Sequence, residues 1–103
     1  MNPLEYEPAL PGADLVAAGL DDLAQQRVTD CSLLVLIAGP RLKWLGVPVP
    51  APGPEFTRPY EHQLYDRLAQ RLGDGAHSHY NSLIRRSVSF ARALEQSRSR
   101  QES

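Results

Sequence analysis

Apolar and polar residues follow a helical period through most of this chain, with one exception. Leu33 to Ala38 is a run of six consecutive apolar residues inside the stretch DCSLLVLIAGPRLKWLG, Asp30 to Gly46. A segment that is apolar all round is buried on all sides, so this element is expected at the centre with the others packed around it. Thr29 or Asp30 can cap it as a helix. A strand is the rival reading, but the run has no partner. The nearest candidate, Gly46 to Val49, is followed by alternating prolines, which cannot donate to a ladder. Pro40 lacks a backbone donor and clashes with the preceding turn. That predicts a break at Gly39, with PRLKWL forming a further turn or two and Gly46 ending it.

The flanking segments have a wet side. Val16, Leu20, Leu23, Ala24 and Val28 repeat at three and four and predict a first helix over Ala13 to Val28. Asp14 and Arg27 suit its two ends. Before it, residues 1–12 hold Pro3, Pro8, Pro11 and Gly12 and read as an irregular arm that Leu4, Tyr6 and Leu10 could pin to the body. Residues 47–57 carry Pro48, Pro50, Pro52 and Pro54 and read as an extended Pro-rich connector. No two of these prolines are three apart, unlike the usual Pro-x-x-Pro ligand. A third helix starts at Pro59 and carries Tyr60, Leu64, Leu68 and Leu72, with Gly73 stopping it. Asp74 is the expected cap of a fourth helix, running from Gly75 or Ala76 to Gln96 with the stripe Ala76, Tyr80, Leu83, Ile84, Ser87, Ala91 and Leu94. Residues 97–103 are polar and expected to fray. The sum is a single all-α domain over residues 1–103, a small irregular four-helix bundle around a buried, Pro-kinked central helix.

Composition adds boundaries. At 103 residues with 42% hydrophobic content, the chain fits one globular domain. The net charge of −1 gives no global attraction for nucleic acid or an acidic membrane. Its distribution is uneven: residues 1–30 hold six acids and one base, and residues 31–103 hold ten bases and six acids. The N-terminus lacks the pattern of a signal peptide, and six apolar residues in a row fall far short of the roughly 20 a spanning helix needs. A cytoplasmic protein with no membrane partner is the expectation. Trp44, Leu45 and Val47, large apolar groups near a surface loop, suggest a homo-oligomer that buries them.

Four sets of residues bear on chemistry. His62 and Asp66 stand four apart on the third helix, and His77 and His79 follow, which opens the alternative of a metal-dependent enzyme. Helical geometry argues against one site, since His62 and Asp66 fall away from the leucine stripe and His77 and His79 point apart at about 100° per residue. Cys31 sits at a helix N-terminus, but its neighbour Asp30 raises rather than lowers its pKa. The single cysteine excludes an intramolecular disulfide and a Cys-based zinc site. Glu61 shares the side of Leu64 and Leu68, where a capping contact accounts for it. The fourth set is the outer face of the last helix: Ser78, Asn81, Ser82, Arg85, Ser89, Arg92 and Gln96, flanked by Arg86 and extended by Arg98 and Arg100. It has many donors and no acid, and could hold phosphates of nucleic acid or an acidic protein. No glycine spacing matches a nucleotide-binding loop, and no cofactor is indicated. The resulting expectation is a helical interaction module acting as a homodimer. Its alternatives are polyanion binding through Asn81, Arg85, Arg86 and Arg92, and the histidine metal enzyme.

Overall fold

The computed structural model describes residues 10–102, with side chains to residue 99, and every regular element in it is helical. Helix α1 spans Ala13–Ala24, α2 spans Asp30–Trp44, α3 spans Tyr60–Leu72 and α4 spans Ala76–Glu102, with a short 3-10 turn at Gly73–Gly75 between the last two. Of the predicted arm, Leu10 lies partly buried against the core, while Leu4 and Tyr6 fall outside the described residues.

Helix α2 is the central element. Ser32, Leu33, Leu34, Val35 and Leu36 are all buried, and five successive residues at about 100° each sweep the whole circumference of a helix. Its start is fixed by a reciprocal cap. The Thr29 hydroxyl accepts from the Ser32 amide at 3.1 Å, and the Ser32 hydroxyl accepts from the Thr29 amide at 2.8 Å, which satisfies two of the orphan donors of the first turn. Its end is a Schellman motif: the Gly46 amide donates to the Lys43 carbonyl and the Val47 amide to the Leu42 carbonyl, with Gly46 at φ 87° and both Val47 and Leu42 buried.

Three boundaries differ from those expected. The break at Gly39–Pro40 is absent, and α2 continues through Pro40 for four more residues. Pro40 itself is exposed, while Leu42 and Leu45 beyond it are buried, so tertiary packing holds the turn that local propensity disfavours. Helix α1 stops at Ala24 rather than Val28. The chain reverses there in a second Schellman motif, with Gln26 at φ 59° in the position glycine usually takes. The Gln26 side chain donates to the carbonyls of Leu23 and Ala51, both at 3.0 Å, which compensates that backbone. Residues 97–102, expected to fray, are the last turns of α4. Asp74, expected as the cap of α4, lies inside the 3-10 turn Gly73–Gly75.

The core extends from α2 into all its neighbours. Val16 and Leu23 of α1, Leu64 and Leu68 of α3, and Leu83, Phe90, Ala91 and Leu94 of α4 are buried with it. Phe90 was missing from the predicted stripe, although it lies seven residues after Leu83 and four before Leu94 and so belongs to its centre. The Pro-rich segment is part of the core as well as a connector, because Val47 and Phe56 are buried. Gln63 brackets it, donating to the Glu55 carbonyl and accepting from the Thr57 amide, each at 2.9 Å.

Gly19 sets how close α1 comes to α2. A Cβ there would overlap the Cys31 carbonyl and lie 2.5 Å from a Val35 methyl. Gly39, inside α2, has nothing within 4 Å of such a Cβ. The two glycines therefore predict opposite outcomes. Gly19→Ala should lower stability by about 1–3 kcal/mol through overpacking, whereas Gly39→Ala should raise it by about 0.5–1 kcal/mol through helix propensity. Denaturant midpoints of the two variants decide this, and midpoints that move in the same direction would contradict the packing described here. In the same assay Leu34→Ala should cost about 2–5 kcal/mol.

Candidate binding surface on the fourth helix

Helix α4 has 27 residues, which at 1.5 Å each is about 40 Å. Its inner face ends at Leu94, the last buried residue on it whose side chain is described. On the outer face Ser78, Asn81, Arg85, Ser89, Arg92 and Gln96 are exposed and Ser82 is half-buried, so the polar face read from the sequence does point away from the core. Neither Arg85 nor Arg92 has a carboxylate partner among the described residues.

The face is not one continuous strip, however. Arg85 lies with Ser78, Asn81 and Ile84 around a shallow depression. Arg92 lies with Gln96 and Ser99 in a second groove, where Arg41 and Glu95 join them, the two paired at 2.6 Å. The adjoining groove is lined by Trp44, Leu45, Gly46, Glu95, Arg98 and Ser99. Arg86 turns the other way, toward α1, with its guanidinium 3.8 Å from the Asp14 carboxylate. Asn81 is engaged with the His77 ring at 3.2 Å. Arg41 and Trp44 were not among the predicted site residues. They belong to α2, and only its packing beside α4 brings them to this groove.

The apolar residues offered as a reason for self-association divide in the same way. Leu45 and Val47 are 5% and 1% exposed and are already covered by the chain itself, whereas Trp44 is 72% exposed. They were expected at a surface loop, but the Schellman turn after Trp44 folds both back into the core.

His62, Asp66, His77 and His79 are not gathered into one cluster. Among the described residues no three or more His, Cys, Asp or Glu side chains are placed to share an ion. All four of these residues are exposed, and His77 is occupied with Asn81. Glu61 is exposed as well. It lies close enough to Tyr80, which packs edge-on against Tyr65 with ring centres 5.6 Å apart, to help burial raise the Tyr80 pKa. No helix among the described residues is long and apolar enough to cross a membrane. Compared with protein-family models, curated proteins and solved structures, the chain gives no match.

Cys31 lies in the first turn of α2, half-buried. Burial pushes its thiol pKa above the ordinary value, and the carboxylates of Asp22, Asp30 and Asp14 push it further, against a smaller opposing effect of Arg86. Only the thiolate attacks electrophiles, so this group is held in its unreactive form. Alkylation by iodoacetamide at pH 8 should be slower than for a free small-molecule thiol. The rate should keep rising with pH beyond the point where the free thiol levels off. A Cys31 rate at pH 8 above that of the free thiol would contradict the electrostatics described here.

Proposed function

We propose that the protein is a small helical binding module that holds a polyanion, with nucleic acid as the leading case, on the outward face of α4. The observation that carries this reading is the pair Arg85 and Arg92, exposed and without a carboxylate partner among the described residues. They stand seven residues apart, or two turns, and so point the same way. Arg27, Arg41, Arg67, Arg71 and Arg86 all face acids. An unpaired guanidinium offers five donors and a permanent charge, which suits phosphate oxygens. Asn81 borders the face and would contribute at its edge, whereas Arg86 is directed to Asp14.

The wider reading is that of an irregular four-helix bundle, with α2 bending where Pro40 removes a donor, working in the cytoplasm. A homodimer is a second reading, favoured by the exposure of Trp44. A large apolar group left in water is a common sign of an interface. Sedimentation of the wild type and of Trp44→Ser separates the cases: a dimer dissociated by the substitution supports self-association through Trp44, and a monomer for both excludes it.

Polyanion binding is tested by titrating short DNA and RNA duplexes and single strands at two salt concentrations. Two neutralised phosphates give a log–log salt slope of about −1.8 on duplex DNA, so a fourfold rise in salt should weaken binding by roughly tenfold. Arg85→Ala combined with Arg92→Ala should weaken binding and flatten that slope while leaving the thermal midpoint within a surface mutant's range. Undetectable binding at low salt, or a double variant that binds like the wild type, removes nucleic acid as the partner of this face.

A further inference from the structure

A second concavity lies on the other side of α2, away from the α4 face. It is a cavity of about 160 Å³, and it is better enclosed than the α4 depressions. One wall is α2, which contributes Leu36, Gly39, Pro40 and Lys43. Leu36 to Gly39 is three residues and Gly39 to Lys43 four, so these side chains share one face of the helix. The rest of the lining comes from the proline segment, with Val49, Pro50 and Pro52, and from Arg58 and Tyr60 ahead of and at the start of α3.

Gly39 gives the cavity its floor. Gly12, Gly46 and Gly73 take positive φ, and Gly19 and Gly53 are pressed against neighbouring atoms. Gly39 does neither, and a Cβ on it would enter open space. No close approach or special backbone conformation requires glycine there. Its lack of a side chain keeps the cavity open. The volume is close to that of an engineered apolar cavity known to hold benzene, so it fits a body of about one small ring.

Two cationic residues, Lys43 and Arg58, line the cavity. Neither Lys43 nor Arg58 has a carboxylate partner among the described residues. Arg58 is braced by its neighbour: Nε donates to the Tyr60 hydroxyl oxygen at 3.3 Å, and the guanidinium carbon stands 5.8 Å from the centre of the Tyr60 ring. That leaves the terminal nitrogens of Arg58, the Lys43 ammonium and the Tyr60 O–H as donors around an apolar hole. We propose that this cavity is a binding site for a small organic carboxylate, with the apolar body held over Gly39 and the carboxylate at Lys43 and Arg58. A cation pair of this kind selects an anion over a neutral molecule of the same shape, because a charge-assisted hydrogen bond is about twice as strong as a neutral one.

The test is a nuclear magnetic resonance titration of the full chain with benzoate, and with benzyl alcohol as the neutral control. Benzoate has nine heavy atoms, for which a dissociation constant of about 1 mM is reasonable. Saturable shifts should appear at Leu36, Val49 and Tyr60 and be weaker for benzyl alcohol. Gly39→Leu fills the cavity and should weaken benzoate binding at least about tenfold, as expected for overlap in a packed site. Arg58→Gln should weaken benzoate about fivefold, a modest loss because the group is exposed, with benzyl alcohol unchanged. The Arg58 variant decides the matter if Gly39→Leu does not fold. The proposal is overturned if benzoate shifts appear at Arg85 and Arg92 instead, if a folded Gly39→Leu binds as the wild type does, or if Arg58→Gln affects both ligands equally. None of these outcomes depends on polyanion binding by α4.

Discussion

Gly19 has no side chain, and α2 uses the space. The Cys31 carbonyl and a Val35 methyl occupy the volume that even an alanine at position 19 would need. The first half of α2, Ser32 to Leu36, can be buried all round only if each neighbour comes close, and α1 does so at this glycine. The consequences run outward along α2. Its first turn is capped by Thr29, whose hydroxyl also donates to the Asp22 carboxylate at 2.8 Å and so ties the cap back to α1. Asp30, next in sequence, accepts from Arg67 at 3.3 Å and Arg71 at 2.6 Å, one turn apart on α3. A carboxylate at a helix N-terminus also suits the dipole. Position 30 therefore orients α3 against α2, at a partly buried site where such a pair is less screened than on the open surface.

This arrangement explains the uneven charge along the chain. The described acids of the first 30 residues are used within the fold: Asp22 meets Arg27, Asp30 meets α3, and Asp14 approaches Arg86 of α4. Much of the C-terminal positive excess is thus matched by N-terminal acid once the helices are assembled. Among the described residues, the cations without a carboxylate partner include Arg85 and Arg92 on the outer face of α4, Lys43 and Arg58 at the cavity beside the proline segment, and Arg98 beside Gly46. The net charge of −1 conceals them. None is a long-range field, and all act at contact distance.

The sequence was informative where one element dictated its own environment. Six apolar residues in a row marked α2 as the centre, and the periodic stripes located α1, α3 and most of α4. It was uninformative where distant residues decide a local outcome. The end of α1 at Ala24 depends on Gln26 bonding to Ala51, 25 residues away. Burial of Leu45 and Val47 depends on a turn that folds them under α2. The outward direction of Arg85 and Arg92 followed from spacing alone, but the division of their face did not. Arg41 and Trp44 enter it from another helix, and Arg86 leaves it for Asp14. Phe90 was legible from spacing, since it completes a seven-residue repeat with Leu83.

Gly39 and Pro40 show why helix propensity is a poor guide to this chain. In a helix interior, glycine costs about 1 kcal/mol and proline about 3 kcal/mol relative to alanine. Together they approach the lower end of the total stability of an ordinary domain, about 5–15 kcal/mol. The turn beyond them forms nonetheless, because Leu42 is 0% and Leu45 5% exposed. Burying two leucine side chains contributes about 3–6 kcal/mol, enough to offset the local penalty. The same two positions face the proline segment, where the absent side chain of Gly39 keeps a cavity open. A sequence chosen only for stability would place alanine at 39, and the glycine there leaves the helix surface hollow beside the proline segment.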